Sequence, residues 1–368
     1  MQSICYYQFM NIKLNKEDLE KFIHLEKVKE NNIFIAELFN NLCLYLEDEL
    51  KETFLDNNTP INYENILQAL EIDYGEELKP YFTSAFQIED VDKYLNNPYY
   101  QTFKNHHITS HGRVKLSLLN YPSFSLFPLD EIKVDDNNYY REYSYLGLFK
   151  QEYHYLALID NNDIWMCITP NEINTMQPYI DKAKGKVITF GLGLGYFPFM
   201  ALNKKDVEEI YIVEKDERII DIFSKFLKDK FPRKEAIHII KDDALKYIDN
   251  HDLSKYDFIY YDLWHNPNDG LPIYLKLKNK EKVPSYYWLE TSLLALLRRY
   301  LISLIDEQLS GSTPSDYIDD SNIDNQIINT LYDVSKQMNI SSYQDIDNLL
   351  KDESLLSLIK KMQLRHLN

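Results

Sequence analysis

The spacing of apolar positions changes character along the chain. Between residues 16 and 105 they recur every three or four positions. Ile35, Leu38, Phe39, Leu42, Leu46, Leu50 and Phe54 form the clearest stripe. It predicts helices that face a core, with a partner-binding face as the alternative. Asn31 or Asn32 stands where it could cap that helix. From 113 to 170 the pattern shortens. Residues 139–149 and 153–169 are rich in aromatic and β-branched side chains, and Asp160-Asn161-Asn162-Asp163 reads as a hairpin turn. From Lys186 onward, short apolar runs at 187–190, 209–214, 237–241 and 257–262 alternate with helical spacing, notably Ile219, Ile220, Phe223, Phe226 and Leu227. Such alternation predicts a parallel sheet covered by helices. Residues 286–309 are Leu-rich and predict one long helix. An acidic, Ser-rich loop is expected at 310–324, then two or three short helices from Ile327. One of these opens with Ser342 and Asp345, spaced like a capping box.

The pattern as a whole predicts an α/β fold. It is a Rossmann-like parallel sheet with covering helices, preceded by a helical segment and a small antiparallel β unit. The expected division is residues 1–183 and 184–368. No internal repeat is present.

Charge narrows the partners. Forty Lys and Arg stand against 58 Asp and Glu, a net charge of −18. That balance argues against a general nucleic-acid binder, because phosphate contacts need a basic face. It suits a neutral or cationic partner. Cys5, Cys43 and Cys167 make neither a disulfide framework nor a zinc pattern, so a cytoplasmic setting is expected. The most apolar window, residues 286–305, contains Glu290, Arg298 and Arg299, so no membrane span is expected. Residues 1–10 lack a cationic start followed by an apolar core, so no signal peptide is expected. His106, His107 and His111 cluster without an acid or Cys at ligand spacing, and no metal site is expected there. Arg298 and Arg299 lie within an apolar helix, where pairing with acids or contact with an anion are the two readings.

Glycine carries the strongest local signal. The chain holds 9 glycines in 368 residues, and Gly191, Gly193 and Gly195 are three of them. They follow a predicted strand and open a helix. Backbone conformation or close approach of a ligand explains such a cluster. The motif is GxGxG, since Tyr196 stands at the sixth position of a dinucleotide fingerprint. Glu214 ends the next strand, where an acid can face a ribose. Asp242 and Asp243 follow the third strand and could accept from an adenine amine or cap the helix at Ala244. Asp262, His265 and Asn266 follow the fourth, at the sheet edge where open α/β proteins bind ligands. Any of the three could orient or deprotonate a nucleophile; the alternative is a turn ended by Pro267.

The runs VITFGLGLGYFPFMAL, IYIVEKD, IHIIKDDALKYI and YDFIYYDLWHNP lie in this order over about residues 185–268. Together they resemble the motifs of class I S-adenosylmethionine-dependent methyltransferases. The antiparallel unit ahead of them is similar to that of the spermidine-synthase-like branch. The resemblance implies S-adenosylmethionine as cofactor. Gly191, Gly193 and Gly195 would line its methionine and ribose, Glu214 would bind the ribose hydroxyls, and Asp243 the adenine amine. Asp262 counts among both the catalytic and the cofactor-binding candidates. The chain departs from the aminopropyltransferases of that branch: its glycine turn has no Asp, His265 stands at the second Asp of their Asp-x-x-Asp-Pro motif, and residues 171–177 lack their Tyr-His-Glu segment. Thr189 replaces the acid that many methyltransferases carry before the first glycine. The expected function is methyl transfer to a small-molecule or protein acceptor. The alternatives are aminopropyl transfer and a non-catalytic cofactor-binding interaction module. The sequence allows a homo-oligomer.

Overall fold

The computed structural model describes residues 10–45, 47–55, 59–106, 108–311 and 322–362. Cys5, Leu46, His107 and residues 312–321 of the expected acidic loop lie outside that set.

Helix α1 (Lys16–Tyr45) opens at Asn15, whose Oδ1 accepts the Asp18 N–H at 2.9 Å. It runs unbroken through Asn31 and Asn32, so neither caps it. Asn32 is buried and takes tertiary partners instead. Its Oδ1 accepts from the Tyr81 hydroxyl (2.7 Å) and the Glu142 N–H (3.1 Å), and its Nδ2 donates to the Tyr140 carbonyl (3.0 Å). The apolar stripe does face a core: Ile35, Phe39, Leu42, Leu50 and Phe54 are buried with Phe82, Leu126 and Leu148. The second half of the stripe belongs to a separate helix, α2 (Glu47–Phe54). Short elements lead from there to α3 (Pro98–Phe103).

The antiparallel unit comprises β1 (Thr109–His111), β2 (Val114–Tyr121), β3 (Tyr153–Asp160) and β4 (Asp163–Cys167), in the order β4-β3-β2-β1. Asn161 and Asn162 have φ of +52° and +75°. Two consecutive left-handed residues make the tight turn that matches strand twist, and Asn tolerates it best after Gly. The β3–β4 register shifts between Ile164 and Met166, leaving Trp165 on a bulge.

Helix α4 (Pro170–Lys182) then leads to the parallel sheet. Its elements are β5 (Gly185–Phe190), α5 (Tyr196–Leu202), β6 (Val207–Glu214), α6 (Glu217–Ile222), β7 (Ile237–Lys241), α7 (Ala244–Asn250), β8 (Phe258–Tyr261), α8 (Pro267–Lys280) and β9 (Tyr286–Tyr287). The strand order is β7-β6-β5-β8-β9, parallel throughout. This is a Rossmann-like α/β fold. Chain order reverses between β5 and β8, the switch point at whose carboxyl edge such sheets bind ligands.

The helix expected at 286–309 starts late. Tyr286 and Tyr287 form the edge strand β9, and α9 spans Glu290–Leu309. The cause is cross-strand stacking: Tyr286 lies on Phe258 (centroids 4.6 Å apart) and Tyr287 on Tyr261 (4.9 Å). Among the described residues no further strand extends this sheet. Leu293, Leu297, Leu301 and Ile305 bury one side of α9. Arg298 hydrogen-bonds the Leu350 carbonyl, pairs with Asp352 and lies over the Tyr140 ring, while Arg299 pairs with Glu142. Both arginines are therefore held by acids. Ser342 caps Tyr343–Leu350 in a full capping box with Asp345.

One apolar cluster runs from Met10 to Met362 and includes residues on both sides of position 184. Among the described residues no helix is long and apolar enough to cross a membrane.

Candidate functional site

The three glycines of the turn after β5 all have positive φ, +98° at Gly191, +51° at Gly193 and +76° at Gly195. Their reasons differ. A Cβ at Gly191 would stand 1.9 Å from the Asp262 carbonyl oxygen, because the ladder continues past both strands through Asp262 N–H to Phe190 O (2.9 Å). A Cβ at Gly195 would meet Phe231 at 2.7 Å and Phe223 at 3.0 Å. Gly193 alone faces room, with the Met166 sulfur its nearest neighbour at 3.9 Å. Among the described residues no protein acceptor meets the N–H groups of Gly193 and Leu194.

Glu214, at the end of β6, shapes this turn. One carboxylate oxygen accepts the Leu192 N–H at 3.1 Å and the other the Asp216 N–H at 2.7 Å. Each oxygen keeps a second lone pair. Asp243 is exposed and caps α7, accepting the Lys246 N–H at 3.1 Å. Asp242 accepts the Asp243 N–H (2.9 Å) and pairs with Lys246 at 3.6 Å. Capping is thus the work seen for Asp243.

Asp262 follows β8. Burial pushes its carboxyl up to about 7, and the nearby charge of Glu214 adds to the shift. It keeps partial solvent access. Glu172, in the first turn of α4, is held well above the usual carboxylate range by burial and then by the charge of Asp262. Glu131 is pushed up to about 7 by burial, although it accepts the Ser292 N–H at 2.8 Å. The Tyr260 hydroxyl is fully buried, has no hydrogen-bond partner among the described residues, and feels the charges of Asp262, Glu172 and Glu131. Asp262, at the carboxyl edge of the sheet, and Glu172 thus lie within reach of each other's charge, and Tyr260 feels Glu131 as well. Such acids can hold a cation or exchange a proton near neutral pH. Sequence reasoning missed Glu172, Glu131 and Tyr260. Their one signal is position: Glu172 opens the helix immediately before β5, and Tyr260 lies two residues before Asp262.

His265 and Asn266 serve the start of α8. Asn266 Oδ1 accepts the N–H groups of Asn268 (2.9 Å) and Asp269 (3.3 Å) in a capping box. His265 is exposed, with Nδ1 3.0 Å from an Asp269 oxygen. His111 meets Asp221 at 3.1 Å, and His106 meets Thr109 at 3.1 Å. Among the described residues no three His, Cys, Asp or Glu are placed to hold a metal ion. The Cys167 thiol is pushed up to about 12 by burial, so it stays protonated.

The antiparallel unit is tied to α6, and its Met166 lies nearest the open side of Gly193. Asp160 binds Arg218 (2.8 Å) and Arg113 (2.7 Å), and Trp165 stacks on Arg218 at 4.5 Å. The described residues form an aromatic slot between Tyr100, Tyr153 and Ile173 and a shallow groove beside Ile340 and Asn348; Gly191–Gly195, Glu214, Glu172 and Asp262 line neither.

No protein-family model and no curated protein matches the sequence. Solved structures that match part of the chain include a spermidine synthase from Thermotoga maritima, at 14% identity and a TM-score of 0.31, over 54% of this chain and 62% of that one. Another is MNMC2 from Aquifex aeolicus, at 17% identity and a TM-score of 0.28, over 69% and 77%. A third is a dimethyladenosine transferase from Plasmodium falciparum, at 13% identity and a TM-score of 0.20, over 29% and 36%. The match thus spans less than two thirds of the spermidine synthase's length. The fold assignment rests on the strand order above.

Proposed function

We propose that this protein binds S-adenosylmethionine at the turn after β5 and transfers its methyl group to a basic acceptor, small molecule or protein, at the acidic edge of the sheet. The observation that carries the reading is the junction of the Gly191–Gly195 turn with Asp262, a carboxyl raised to about 7, at the switch point. The residues present fit the cofactor. Gly193 leaves an open face, the Gly193 and Leu194 N–H groups have no protein acceptor, and Glu214 retains lone pairs for two ribose hydroxyls. When bound, the cofactor supplies an electrophilic methyl group on a sulfonium sulfur.

The chain's own residues bind and orient. Glu214 would hold the ribose, and Asp243 would accept from the adenine amine while still capping α7. Asp262 takes the proton that the attacking atom loses, and a base with a pKa near 7 suits that task. Asp262 and Glu131 ionise near neutral pH, and a cationic acceptor beside them would draw them into the charged form, whereas an anionic acceptor would hold them neutral. The same acids support a second reading, transfer of an aminopropyl group between cationic partners.

Calorimetry separates the outcomes. Micromolar binding of S-adenosylhomocysteine is expected, with decarboxylated S-adenosylmethionine binding no tighter than the parent. Glu214→Ala should weaken cofactor binding by about 1–3 kcal/mol. Absence of both heat and thermal shift at saturating ligand overturns the reading, because a ligand of the native state must stabilise it. Preference for the decarboxylated form, with turnover of putrescine, selects aminopropyl transfer instead.

A further inference from the structure

The turn that would receive the cofactor is fastened from the N-terminal half of the chain. Tyr99, on α3, is fully buried, and its hydroxyl donates to the Leu194 carbonyl at 2.6 Å. The next group along, the Gly195 N–H, donates to the Leu192 carbonyl at 2.8 Å. The peptide unit joining Leu194 to Gly195 is thus held at both ends. Asn97 makes a second tie. Its Oδ1 caps α3 by accepting the N–H groups of Tyr99 (2.9 Å) and Tyr100 (3.3 Å), and its Nδ2 donates to the Tyr196 hydroxyl at 2.9 Å. Ring contacts brace the pair, Tyr99 to Tyr196 at 5.4 Å and to Phe199 at 5.2 Å.

We infer that Tyr99 and Asn97 are positioning residues for the cofactor turn, an inference that rests on the transferase reading. Fixing the Leu194–Gly195 peptide orients its neighbours, so the N–H groups of Gly193 and Leu194 stay turned toward the ligand. Without the two ties the turn samples other peptide orientations, and binding must then order it. Neither residue has to touch the ligand. The N-terminal helices thereby set cofactor affinity through two hydrogen bonds.

Tyr99→Phe removes one hydroxyl and keeps the ring. It should weaken S-adenosylhomocysteine about tenfold and raise the KM for S-adenosylmethionine alike. The kcat at saturating cofactor and the KM for the acceptor should stay near the parent values. Tyr140→Phe is the control, since it deletes a hydroxyl that donates to the Asp347 carbonyl (2.8 Å), away from the turn. It should lower thermal stability and leave cofactor affinity unchanged. Should Tyr99→Phe fail to fold, Tyr196→Phe retains the Asn97 cap of α3, removes the hydroxyl that accepts from Asn97 Nδ2, and is read in the same way. Parent-like affinity in both turn variants overturns the inference. So does an equal loss in Tyr140→Phe, which would make the effect one of general stability. If the parent protein binds no S-adenosylhomocysteine, the transferase reading falls by itself. Amide exchange at Leu192 and Gly195 still decides the present point, with faster exchange expected in Tyr99→Phe than in Tyr140→Phe.

Discussion

Asp262→Asn removes one charge and keeps the side chain's size, and its effect should change with pH. The Asp262 carboxyl moves from an ordinary 3.8 to about 7 on folding. At 1.36 kcal/mol per unit, burying the ionised form costs about 4 kcal/mol at the upper limit. Partial exposure to solvent lowers the figure, and about 2 kcal/mol is the expected cost. The sign follows from proton binding. Between pH 3.8 and 7 the folded protein holds this proton and the unfolded chain has lost it, so the parent's stability falls as pH rises through that window. Below it both states are protonated and the penalty vanishes; above it the penalty is complete. Asp262→Asn should therefore be about 2 kcal/mol more stable than the parent at pH 8 and equal to it near pH 4. Urea unfolding at pH 4, 6 and 8, extrapolated linearly, reads this difference. The same variant should lose about 100-fold or more in turnover, the usual scale for a general base, with cofactor affinity preserved. Gained stability with lost activity marks a residue kept for function. A variant less stable than the parent at pH 8, or a difference that ignores pH, refutes the reasoning.

Three further substitutions test other parts of the account. Gly191→Ala should fail to fold or lose more than about 4 kcal/mol, since its Cβ meets the Asp262 carbonyl at 1.9 Å. Gly193→Ala, with open space around it, should lose only the ~1–2 kcal/mol of left-handed strain; thermal denaturation ranks the two, and the reverse order contradicts the site geometry. Asn32→Ala should cost about 2–4 kcal/mol, because it leaves the buried Tyr81 hydroxyl and two backbone groups without their partner; a loss under about 0.5 kcal/mol would show that the triad carries no stability. His265→Ala should leave turnover within about threefold, as expected of an exposed side chain on a helix cap. A large fall in kcat would return the imidazole to the chemistry.

The periodic elements were legible because burial imposes period on sequence. Strands β5 and β8 are buried almost throughout and read as apolar runs, while β6 and β7 carry polar residues such as Glu209 and His238 among their apolar ones. The Asn161-Asn162 turn was legible because few residues accept two left-handed conformations in succession. Glu214 stood out because a strand end after a glycine turn is a local feature. Short-range rules failed wherever a distant segment decided the outcome. Asn32 has the composition of a cap, yet Tyr81, Tyr140 and Glu142 use it inside α1. Tyr286 and Tyr287 join a strand because Phe258 and Tyr261 stack on them. The separate reasons for the three glycines needed their neighbours: the Asp262 carbonyl, Phe231 and Met166 come from three other parts of the chain. The acids around Asp262 show the limit best. Asp262 was legible as an acid at a strand end, but Glu131 and Glu172 are unremarkable among 58 acidic residues. Only folding buries all three acids, and desolvation, which no linear pattern records, is what raises their pKa values.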